Sequence, residues 1–369
     1  MDYRDRVDAF TQRLEEREID VVLLFDTANL RYFTGFRLNR AAHAILMIGR
    51  DGRIYFIVAR LDYERARRDC WIHNKNIRHF LEDTPEPLSV LRDLLGSFKP
   101  RSIGIEVETI TCHQAEYLKA LSRSVTSVVP HMEAIDADLL RMRAIKSEAE
   151  IEVIRKAAAI ADRVMQVALQ RAKPGVTEAE ISSYVQYLMV KEGAEGPSFE
   201  PFLMSGENAW LPQRVSTEKP LAAGELVLFD MGTIYQGYCS DITRTFSLGG
   251  LSNEQSKLFR VAYQAQQAAI EAVRPGVTGG EVDRVARAVI AAEGLGDHFP
   301  HLTGHGLGLA IHEMPILDVG RETVLEPNMV VTVEPGIYLA GVGAARVEDM
   351  VLVTEDGHEV LTKTERELI

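Results

Sequence analysis

The sequence predicts an α/β domain in the first third of the chain, followed by an α+β domain with an internal pseudo-twofold repeat. In the first third, apolar strand-like runs alternate with amphipathic helices, which is typical of an α/β sheet. Farther along, "KPGVTEAEI" begins at Lys173 and "RPGVTGGEV" begins 101 residues later, at Arg274. The 369 residues are enough for two domains. We place them at residues 1–135 and 136–369.

The N-terminal elements start with a helix whose residues Val7, Phe10 and Leu14 share one face. After it, short apolar runs bounded by turn residues predict buried strands, and more polar stretches predict helices. In chain order, the predicted elements are the strand "IDVVLLF" (19–25), the strands "AHAILMIG" and "RIYFIV" around a turn at Asp51–Gly52, a helix from about Arg60, a helix from Pro87 to Phe98, the strand "SIGIEV", a helix near 111–122 and a last extended segment, "SVTSVVP".

The repeat predicts matched helix pairs in the second domain. A long amphipathic helix from about Ser147 to Arg171 leads into the first copy. Each copy ends one helix with Pro–Gly and begins the next with a Thr-x-x-Glu capping box, Thr177 with Glu180 and Thr278 with Glu281. A site formed by two similar halves is expected where they meet.

The composition excludes several classes of partner. The chain has 41 Lys and Arg against 54 Asp and Glu, a net charge of −13, so nucleic acid and anionic membranes are poor candidates. No apolar run approaches the roughly 18 residues of a membrane span, and "MDYRDRVDAF" lacks the apolar stretch of a secretory signal. Three scattered cysteines without a CxxC motif argue against disulfides and thiolate metal sites. These features predict a cytoplasmic protein.

The stretch "DMGTIYQGYCSDITRTF" (230–246) predicts a β-hairpin that carries two aspartates. With the turn centred on Tyr235 and Gln236, Asp230 faces Asp241 across the ladder, where like charges repel. A bulge at Gly237 is the alternative and shifts the pairing by one residue. The two carboxylates are either solvated side chains of an edge strand or ligands of a shared cation. The second interpretation requires further ligands elsewhere in the chain.

Further candidate ligands follow in the second half of the repeat. "HLTGHGLGLAIHEMP" (301–315) contains His305 between glycines, "VVTVEPGIY" (330–338) contains Glu334, and "AARVEDMVLV" (344–353) contains Glu348. With Asp230 and Asp241, the two glutamates carry a charge of −4, which two divalent cations would neutralise. Oxygen ligands with a single imidazole favour Mn²⁺ or Co²⁺, with Zn²⁺ and Fe²⁺ as further candidates.

The order Asp, Asp, His, Glu, Glu in "DMG", "SDITRT", "TGHGLGL", "EPGIY" and "RVEDMVLVT" resembles the pita-bread metallopeptidase family of Xaa-Pro aminopeptidases, prolidases and methionine aminopeptidases. These motifs lie between about residues 225 and 353. "NLRYFTGF" (29–36) resembles the creatinase-type N-terminal domain of the prolidase and aminopeptidase P branch, which methionine aminopeptidases lack. The resemblance implies a creatinase/ribonuclease H-like domain followed by a pita-bread catalytic domain.

The resemblance also implies roles for the candidate ligands. Asp230 would chelate one metal ion, Asp241 and Glu348 would bridge both ions, and His305 with Glu334 would complete the second. A water between the metal ions would be the nucleophile, because the cations lower its pKa, and Glu334 would accept its proton. The implied reaction is hydrolysis of Xaa-Pro peptide bonds, of the aminopeptidase P or prolidase type.

Other residues match the family less directly. His312 matches a histidine that contacts substrate or the developing oxyanion, and His301 matches one that lies behind the metal ligands; packing is the alternative for both. Arg346 shares a strand face with Glu348 and would either bind a substrate carboxylate or hold that glutamate in place, with a solvated side chain as the alternative. Tyr338 is expected to pack.

One position departs from the family. Its peptidases usually carry a histidine before the first aspartate, often after a proline, where it hydrogen-bonds the substrate amide or the tetrahedral intermediate. Here the stretch is "SGENAWLPQRVST" (205–217), with Gln213 after Pro212, and no histidine lies between His131 and His298. Glutamine donates a hydrogen bond but does not change protonation near neutral pH. Gln213 is therefore the predicted substrate-binding residue at this position.

Three functions stay open at this point. The favoured one is an Xaa-Pro dipeptidase or aminopeptidase with two divalent metal ions. The second is a non-peptidase that acts on a small polar metabolite, in the manner of creatinase, ectoine hydrolase or sulfoniopropionate lyase, although creatinase itself lacks the metal ligands. The third is a catalytically silent binding protein. A Xaa-Pro peptide panel separates the first two, and metal analysis separates the third.

The resemblance further implies a homodimer. The loop from Gly35 to His43, "GFRLNRAAH", is polar and contains arginine between two buried strands. We expect it to approach the active site of the partner subunit, with a solvated loop as the alternative. The expected partners are thus a peptide or small-molecule substrate and a second copy of the chain.

Overall fold

The computed structural model describes residues 2–39, 43–81, 90–125, 129–211 and 215–367. Their contacts divide the chain into two compact units, Met1–Met142 and Arg143–Ile369. The domain boundary predicted after residue 135 stays a prediction, because contact density alone does not show where an independently folding unit ends. Within the described ranges, no helix is both long and apolar enough to cross a membrane.

The first unit is built on one mixed sheet. Its strands are β1 (Val21–Leu24), β2 (Ala44–Gly49), β3 (Ile54–Ala59), β4 (Ile77–Phe80), β5 (Ser102–Ile105) and β6 (His131–Ala134). Its helices are α1 (Tyr3–Glu16), α2 (Thr27–Thr34), α3 (Arg60–Asp69), α4 (Leu91–Phe98) and α5 (Cys112–Val125). The strands lie in the order β4-β3-β2-β1-β5-β6. Pairs β1–β2 and β2–β3 are antiparallel, and the other neighbours are parallel.

Most elements of the first unit agree with the sequence predictions. Val7, Phe10 and Leu14 form the buried face of α1 as predicted. The extended segment predicted at "SVTSVVP" is wrong at its first two residues, because α5 continues to Val125, while residues 126–128 lie outside the described ranges and the last strand is His131–Ala134. The predicted helix from Pro87 begins at Leu91 in the structure, and residues 87–89 lie outside the described ranges.

The second unit contains two similar halves. The helix α6 (Asp136–Ala144) ends two residues into this unit, and the helices that follow are α7 (Glu148–Arg171), α8 (Glu178–Lys191), α9 (Asn253–Ala272) and α10 (Gly279–Ala292). Its strands are β7 (Gly196–Pro197), β8 (Phe202–Ser205), β9 (Leu226–Met231), β10 (Thr233–Tyr235), β11 (Tyr238–Cys239), β12 (Ile242–Ser247), β13 (Gly304–Gly306), β14 (Glu313–Leu317), β15 (Val330–Val333), β16 (Gly336–Leu339), β17 (Gly343–Arg346), β18 (Asp349–Val353) and β19 (His358–Val360). They form sheets in the orders β11-β10-β7, β12-β9-β8, β14-β13-β15-β18-β19 and β16-β17.

The repeat predicted from the sequence is visible in the helix pairs. Thr177 caps α8 and Thr278 caps α10, each in a capping box with the glutamate three residues later. Ahead of them, Gly175 and Gly276 have positive φ angles of 91° and 86°, which turn the chain from one helix of the pair to the next. Local hydrogen bonds therefore fix the same helix entry in both halves.

In each half, a helix pair covers one face of a sheet. Phe229 and Met231 of β9 belong to the apolar core under α7 and α8. Asp230 between them points to the opposite face, because neighbouring residues of a strand alternate. Val333 of β15 lies in the core formed with α9 and α10, and Glu334 follows it with the opposite parity. The acidic side chains are thus directed away from the helices.

Candidate metal centre

The hairpin register predicted from the sequence is wrong by two residues. The turn is centred on Gln236 and Gly237, which have positive φ angles of 46° and 90°, as a mirror-image two-residue hairpin turn requires. As a result, β9 and β12 pair Asp230 with Thr243 rather than with Asp241. The one-residue shift considered as an alternative is also absent from the described ladder. Because an even shift keeps each side chain on its own face, the two aspartates stay on one side of the sheet.

Three of the predicted ligands converge in the second unit. Asp230, Asp241 and Glu348 each offer a carboxylate oxygen, and these atoms lie within 4.8 Å of one another. All three side chains are buried. The backbone N–H of Glu348 donates to the Thr243 carbonyl oxygen (3.1 Å), and the Thr243 hydroxyl donates to Glu348 Oε2 (2.7 Å). Thr243 therefore joins strands of the two halves at the carboxylate cluster.

The two halves contribute carboxylates from corresponding strands. Asp230 lies near the end of β9, and Glu334 directly follows β15. Asp241 directly precedes β12, and Glu348 directly precedes β18. Since β9 pairs with β12 and β15 pairs with β18, each half supplies one antiparallel strand pair with a carboxylate on each strand. The site lies where the halves meet, as the repeat predicts.

His305 and Glu334 complete the group of predicted ligands. His305 Nε2 lies 3.3 Å from Glu334 Oε1 and 3.7 Å from Asp241 Oδ2. The other ring nitrogen, Nδ1, lies 2.9 Å from the Gly306 carbonyl oxygen, which leaves Nε2 directed toward the carboxylates. The Thr332 hydroxyl donates to Glu334 Oε1 (3.1 Å) and accepts from the backbone N–H of His305 (3.0 Å). The structure thus brings all five candidate ligands together.

The glycines around His305 allow close packing of backbone. A Cβ atom at Gly304 would lie 2.0 Å from the Thr332 carbonyl oxygen, and one at Gly306 would lie 2.2 Å from the Met314 carbonyl oxygen. Any larger residue would push β15 or β14 away from β13. These glycines therefore let the backbone of β14 and β15 approach the strand that carries His305.

Crowded carboxylates dominate the electrostatics of the cluster. Burial, and then the charges of Glu348, Asp230 and Glu334, raise the pKa of Asp241 well above its usual 3.8. Burial and the charges of Glu334 and Asp230 likewise raise the pKa of Glu348 well above 4.5. Burial would also raise the pKa of Glu334, but the hydrogen bond and charge of His305 lower it to about 2. Asp241 and Glu348 therefore favour a bound proton, or another cation, at this place.

The donor set fits a divalent cation. Asp241 Oδ1 and Glu348 Oε1 are buried and accept no hydrogen bond from any part of the chain that the structure describes. Such orphaned acceptors are rare in folded proteins and are satisfied where converging carboxylates hold a cation. When all four carboxylates are ionised, they and the guanidinium of Arg346 carry a net charge of −3, whereas the four carboxylates alone carry −4. Oxygen donors with one imidazole suit hard and borderline divalent ions.

Arg346 is buried next to the carboxylates and contacts two of them. Its Nη2 forms an ion pair with Asp230, and its Nε lies 4.0 Å from Glu334 Oε2. The same guanidinium donates to the Tyr338 hydroxyl (2.8 Å) and to the Thr243 hydroxyl (3.1 Å). Only 3% of its surface is exposed. The sequence suggests two roles for Arg346, which are binding a substrate carboxylate and holding a carboxylate of the site in place. The contacts favour the second role.

A cavity of about 460 Å³ opens beside the cluster, and both His301 and His312 line it. The centre of the His312 ring lies 4.4 Å from that of His305. His301 Nε2 lies 3.0 Å from the Tyr338 hydroxyl oxygen. The lining residues are Phe199, Glu200, Phe202, Asp230, Asp241, His301, Leu302, His305, Ile311, His312, Asp318, Glu334 and Arg346.

Two threonines of the site are not among the residues predicted from the sequence. Thr243 lies two residues after Asp241, and Thr332 lies two residues before Glu334. Both have the period-two spacing that places side chains on one face of a strand, so this alternation is the signal that could have identified them. The predicted substrate-binding residue Gln213 lies outside the described residues, and its place in the site stays a prediction.

Two protein families match the chain, one for each unit. The profile of metallopeptidase family M24 matches residues 152–355. The profile of the creatinase/prolidase N-terminal domain matches residues 6–145.

Named relatives match along their whole length. The chain is 36% identical over 366 residues to the Xaa-Pro dipeptidase of Pyrococcus furiosus, which covers 99% of this chain and 100% of the relative. The solved structure of the prolidase from Pyrococcus horikoshii has a TM-score of 0.90 at 35% identity and covers 99% of this chain and 100% of that one. The Xaa-Pro dipeptidase from Bacillus anthracis has a TM-score of 0.90 at 32% identity, with coverage of 100% and 99%. The predicted creatinase-type and pita-bread folds are confirmed.

Proposed function

Because this chain belongs to metallopeptidase family M24 and carries the creatinase/prolidase N-terminal domain, we propose that it hydrolyses Xaa-Pro peptide bonds. The observation that carries the proposal is the buried cluster of four carboxylates and His305 beside a cavity. Xaa-Pro dipeptidase relatives that match the full chain support proline-containing substrates. They favour dipeptides, and cleavage of longer Xaa-Pro peptides in the manner of an aminopeptidase is the wider form of the same activity.

Metallopeptidases of this family use divalent metal ions, and we propose that two of them bind in the cluster, Mn²⁺ or Co²⁺ ahead of Zn²⁺ or Fe²⁺. Asp230 would bind the first ion, and His305 and Glu334 would bind the second. Asp241 and Glu348 would each bind both ions. The orphaned oxygens of Asp241 and Glu348 support this assignment. When bound, divalent cations lower the pKa of water and polarise the carbonyl group of the scissile bond.

Glu334 is the proposed proton acceptor. Its Oε1 is engaged by His305 and Thr332, whereas its Oε2 lies 4.0 Å from Arg346 Nε. Its pKa is lowered in the absence of metal, so the carboxylate is ionised at neutral pH, and Oε2 would take the proton of an attacking water. Arg346 would hold the carboxylate in place and offset its charge.

Two histidines of the cavity wall are proposed to act on the substrate side. His312 would donate a hydrogen bond to the substrate carbonyl oxygen, since its ring lies beside that of His305. His301 is held by Tyr338 and the Leu302 carbonyl oxygen through its two ring nitrogens, so we assign it to shaping the wall. The aromatic rings of Phe199 and Phe202 line the same cavity and would pack against the proline ring.

The direct test of the proposed function is hydrolysis of Ala-Pro, Gly-Pro and a longer Xaa-Pro peptide by protein loaded with Mn²⁺ or Co²⁺. We expect turnover of the proline peptides, a much lower rate on Ala-Ala, and loss of turnover after EDTA treatment. Activity on small amides or betaines without Xaa-Pro turnover would favour the metabolite-acting alternative. Failure to bind metal at all would favour a silent binding protein.

The residue that favours the metabolite-acting alternative is Gln213, which stands where the peptidases usually have a histidine. If the protein is an Xaa-Pro peptidase, we expect Gln213→His to preserve or raise Ala-Pro turnover and Gln213→Ala to lower it, because the side chain then donates to the substrate amide. The measurement is kcat/KM for both variants with saturating Mn²⁺. Absent Xaa-Pro turnover that Gln213→His does not restore, together with a native reaction that it impairs, would support the alternative.

We also propose a homodimer in which the loop from Gly35 to His43 approaches the partner's active site. Arg37 and Asn39 are exposed in this loop, whereas residues 40–42 lie outside the described ranges. Light scattering at micromolar concentration should give the mass of two chains, and the mass of one chain would contradict the proposal. The cytoplasmic location predicted from the sequence stays a prediction.

A further inference from the structure

The loop that carries His312 rests on a buried carboxylate. Residues 307–312 connect β13 to β14 and bring Ile311 and His312 to the cavity wall. Glu313, the first residue of β14, is only 4% exposed. Its carboxylate turns back under the loop, where Oε1 accepts a hydrogen bond from the backbone N–H of Ala310 (2.9 Å). The residue next to His312 therefore holds the loop through its side chain.

A glycine leaves space for this carboxylate. A Cβ atom at Gly308 would lie 2.7 Å from Glu313 Oε2, so a larger residue would displace the side chain. The N–H of Gly308 donates to the Ala310 carbonyl oxygen (3.0 Å), and its own carbonyl oxygen accepts from the N–H of Cys239 (2.7 Å). The loop is thus tied to itself, to the neighbouring hairpin and to Glu313.

Two buried cations hold the Glu313 carboxylate. Arg143 donates to Glu313 Oε1 through Nη2 and through Nε (3.2 Å), and Lys146 Nζ lies 3.5 Å from Oε2. Both cations are buried, with 6% and 2% of their surfaces exposed. Burial would raise the pKa of Glu313, but the charges of Arg143 and Lys146 lower it overall, so the carboxylate stays ionised. The Glu313 carboxylate is therefore both ionised and held in one position.

We propose that Glu313 is a positioning residue for His312. Held by Arg143 and Lys146, it fixes the conformation of residues 307–312 so that the imidazole meets the substrate at the correct distance. Among the residues that line the cavity, neither Glu313 nor the two cations occurs, so Glu313 acts through the loop. The inference rests on the proposed function, in which His312 contacts the substrate.

A double-mutant cycle tests the inference on the Mn²⁺-loaded protein with Ala-Pro. We expect Glu313→Gln to lower kcat/KM by roughly 10- to 100-fold, since small displacements of a substrate-contacting group have effects of this size. In the His312→Ala background, the same substitution should change kcat/KM by less than about twofold, because the group it positions is gone. An equal loss in both backgrounds, or no loss in the wild type, would overturn the proposal.

Hydrogen exchange of the Ala310 amide gives a readout that does not depend on turnover. The proposal expects faster exchange in Glu313→Ala, which removes the acceptor, than in Glu313→Gln, which keeps an amide oxygen at the same position. Unchanged exchange in both variants would overturn the proposal. If the wild-type protein cleaves no Xaa-Pro peptide, the proposed function fails, while this measurement still decides whether Glu313 holds the loop.

Two further variants show whether a loss of activity in Glu313→Gln comes only from unfolding of the protein. Glu313→Gln combined with Lys146→Met restores the charge balance of the buried group, so the cycle can be repeated in that background if the single variant is unstable. Asp162→Asn is the matched control, because Asp162 is a buried carboxylate that binds the backbone of Lys363 and Thr364. Its effect should be the same with and without His312, and a coupling as strong as that of Glu313 would contradict a specific link through the loop.

Discussion

We expect Asp241→Asn to lower kcat/KM for Ala-Pro by about a thousandfold or more, because Asp241 would be a ligand of both metal ions in the proposed centre. Loss of several kcal/mol of stabilisation by the cations corresponds to at least three factors of ten in rate. The substitution keeps the size of the side chain, so packing alone does not explain a loss. Metal content measured by inductively coupled plasma mass spectrometry should fall together with activity.

The same substitution should raise the thermal stability of metal-stripped protein. Asp241 is buried among Glu348, Asp230 and Glu334, whose charges raise its pKa. A neutral amide removes this repulsion at neutral pH. Differential scanning calorimetry of the two stripped proteins measures the effect. A stripped variant that is less stable than stripped wild type would show that Asp241 is a structural residue and not a ligand held at a cost in stability.

Asp162→Asn provides the matched control for Asp241→Asn. Both aspartates are buried, at 7% and 5% exposure. Asp162 accepts hydrogen bonds from the backbone of Lys363 and from the backbone and hydroxyl of Thr364, all at 2.9 Å or less. We expect the control variant to lose stability and to keep its metal, which is the reverse of the result for Asp241. A variant of Asp241 that binds its full metal complement and cleaves Ala-Pro would contradict the proposed centre.

The parts of the fold that the sequence predicts well are those decided by local interactions. The capping boxes that begin with Thr177 and Thr278 require hydrogen bonds across only three residues, and both form. The long helix predicted from about Ser147 begins at Glu148, and at its start the Glu150 carboxylate accepts hydrogen bonds from the backbone and the hydroxyl of Ser147. The ligand motifs are equally local, since each consists of a few residues at the end of a strand.

Elements without a strong apolar pattern were missed or misplaced. Among the strands that the structure describes, His131–Ala134 pairs with β5 alone, and its four residues are exposed or half-buried, so no alternation or apolar run marks it. The helix Thr27–Thr34 does have terminal signals, because Asp26 caps its start and Gly35 ends it with a φ angle of 70°. These two signals are sufficient to predict that helix.

Interactions between distant parts of the chain could not be predicted from the sequence. The pair Arg346–Asp230 joins residues 116 positions apart, and the pair Arg143–Glu313 joins residues 170 positions apart. Neither distance is set by a helix or strand period, so no local pattern indicates them. The predicted register of the hairpin was also wrong, although its strands are close in sequence. The register depends on which two residues of the turn adopt positive φ, and the sequence pattern of the strands does not show this.

The apparent affinity for Mn²⁺ is expected to rise as pH rises from about 5 to 8, because cations and protons compete for the same atoms. Burial and neighbouring charges raise the pKa of Asp241 and of Glu348, so both carboxyls hold protons at pH values where ordinary carboxyls are ionised. As a ligand in the proposed centre, His305 would have to be neutral. Burial lowers its pKa, but the hydrogen bond and charge of Glu334 raise it overall. All three groups therefore release protons when metal binds.

The same three groups determine how the stability of the metal-stripped protein depends on pH. A group whose pKa is higher in the folded state contributes stability below its unfolded pKa and loses it as pH rises through its folded pKa. For Asp241, Glu348 and His305, this loss begins above their usual values of 3.8, 4.5 and 6.5. Glu334 acts in the opposite sense, because its pKa is lowered from 4.5 to about 2, so its contribution is lost as pH falls from about 4.5 to about 2. The melting temperature of stripped protein should therefore fall as pH rises above about 5.

Bound metal should counteract the fall in melting temperature at higher pH, because the cations replace the protons that the carboxylates lose. At a thousandfold excess of Mn²⁺ over its Kd, binding to the folded state alone adds about 4 kcal/mol to the free energy of unfolding. Since affinity rises with pH, the difference in melting temperature between loaded and EDTA-treated protein should widen between about pH 5 and pH 8. Asp241→Asn should flatten this dependence. A difference that stays constant or narrows as pH rises would contradict a cation site built from Asp241, Glu348 and His305.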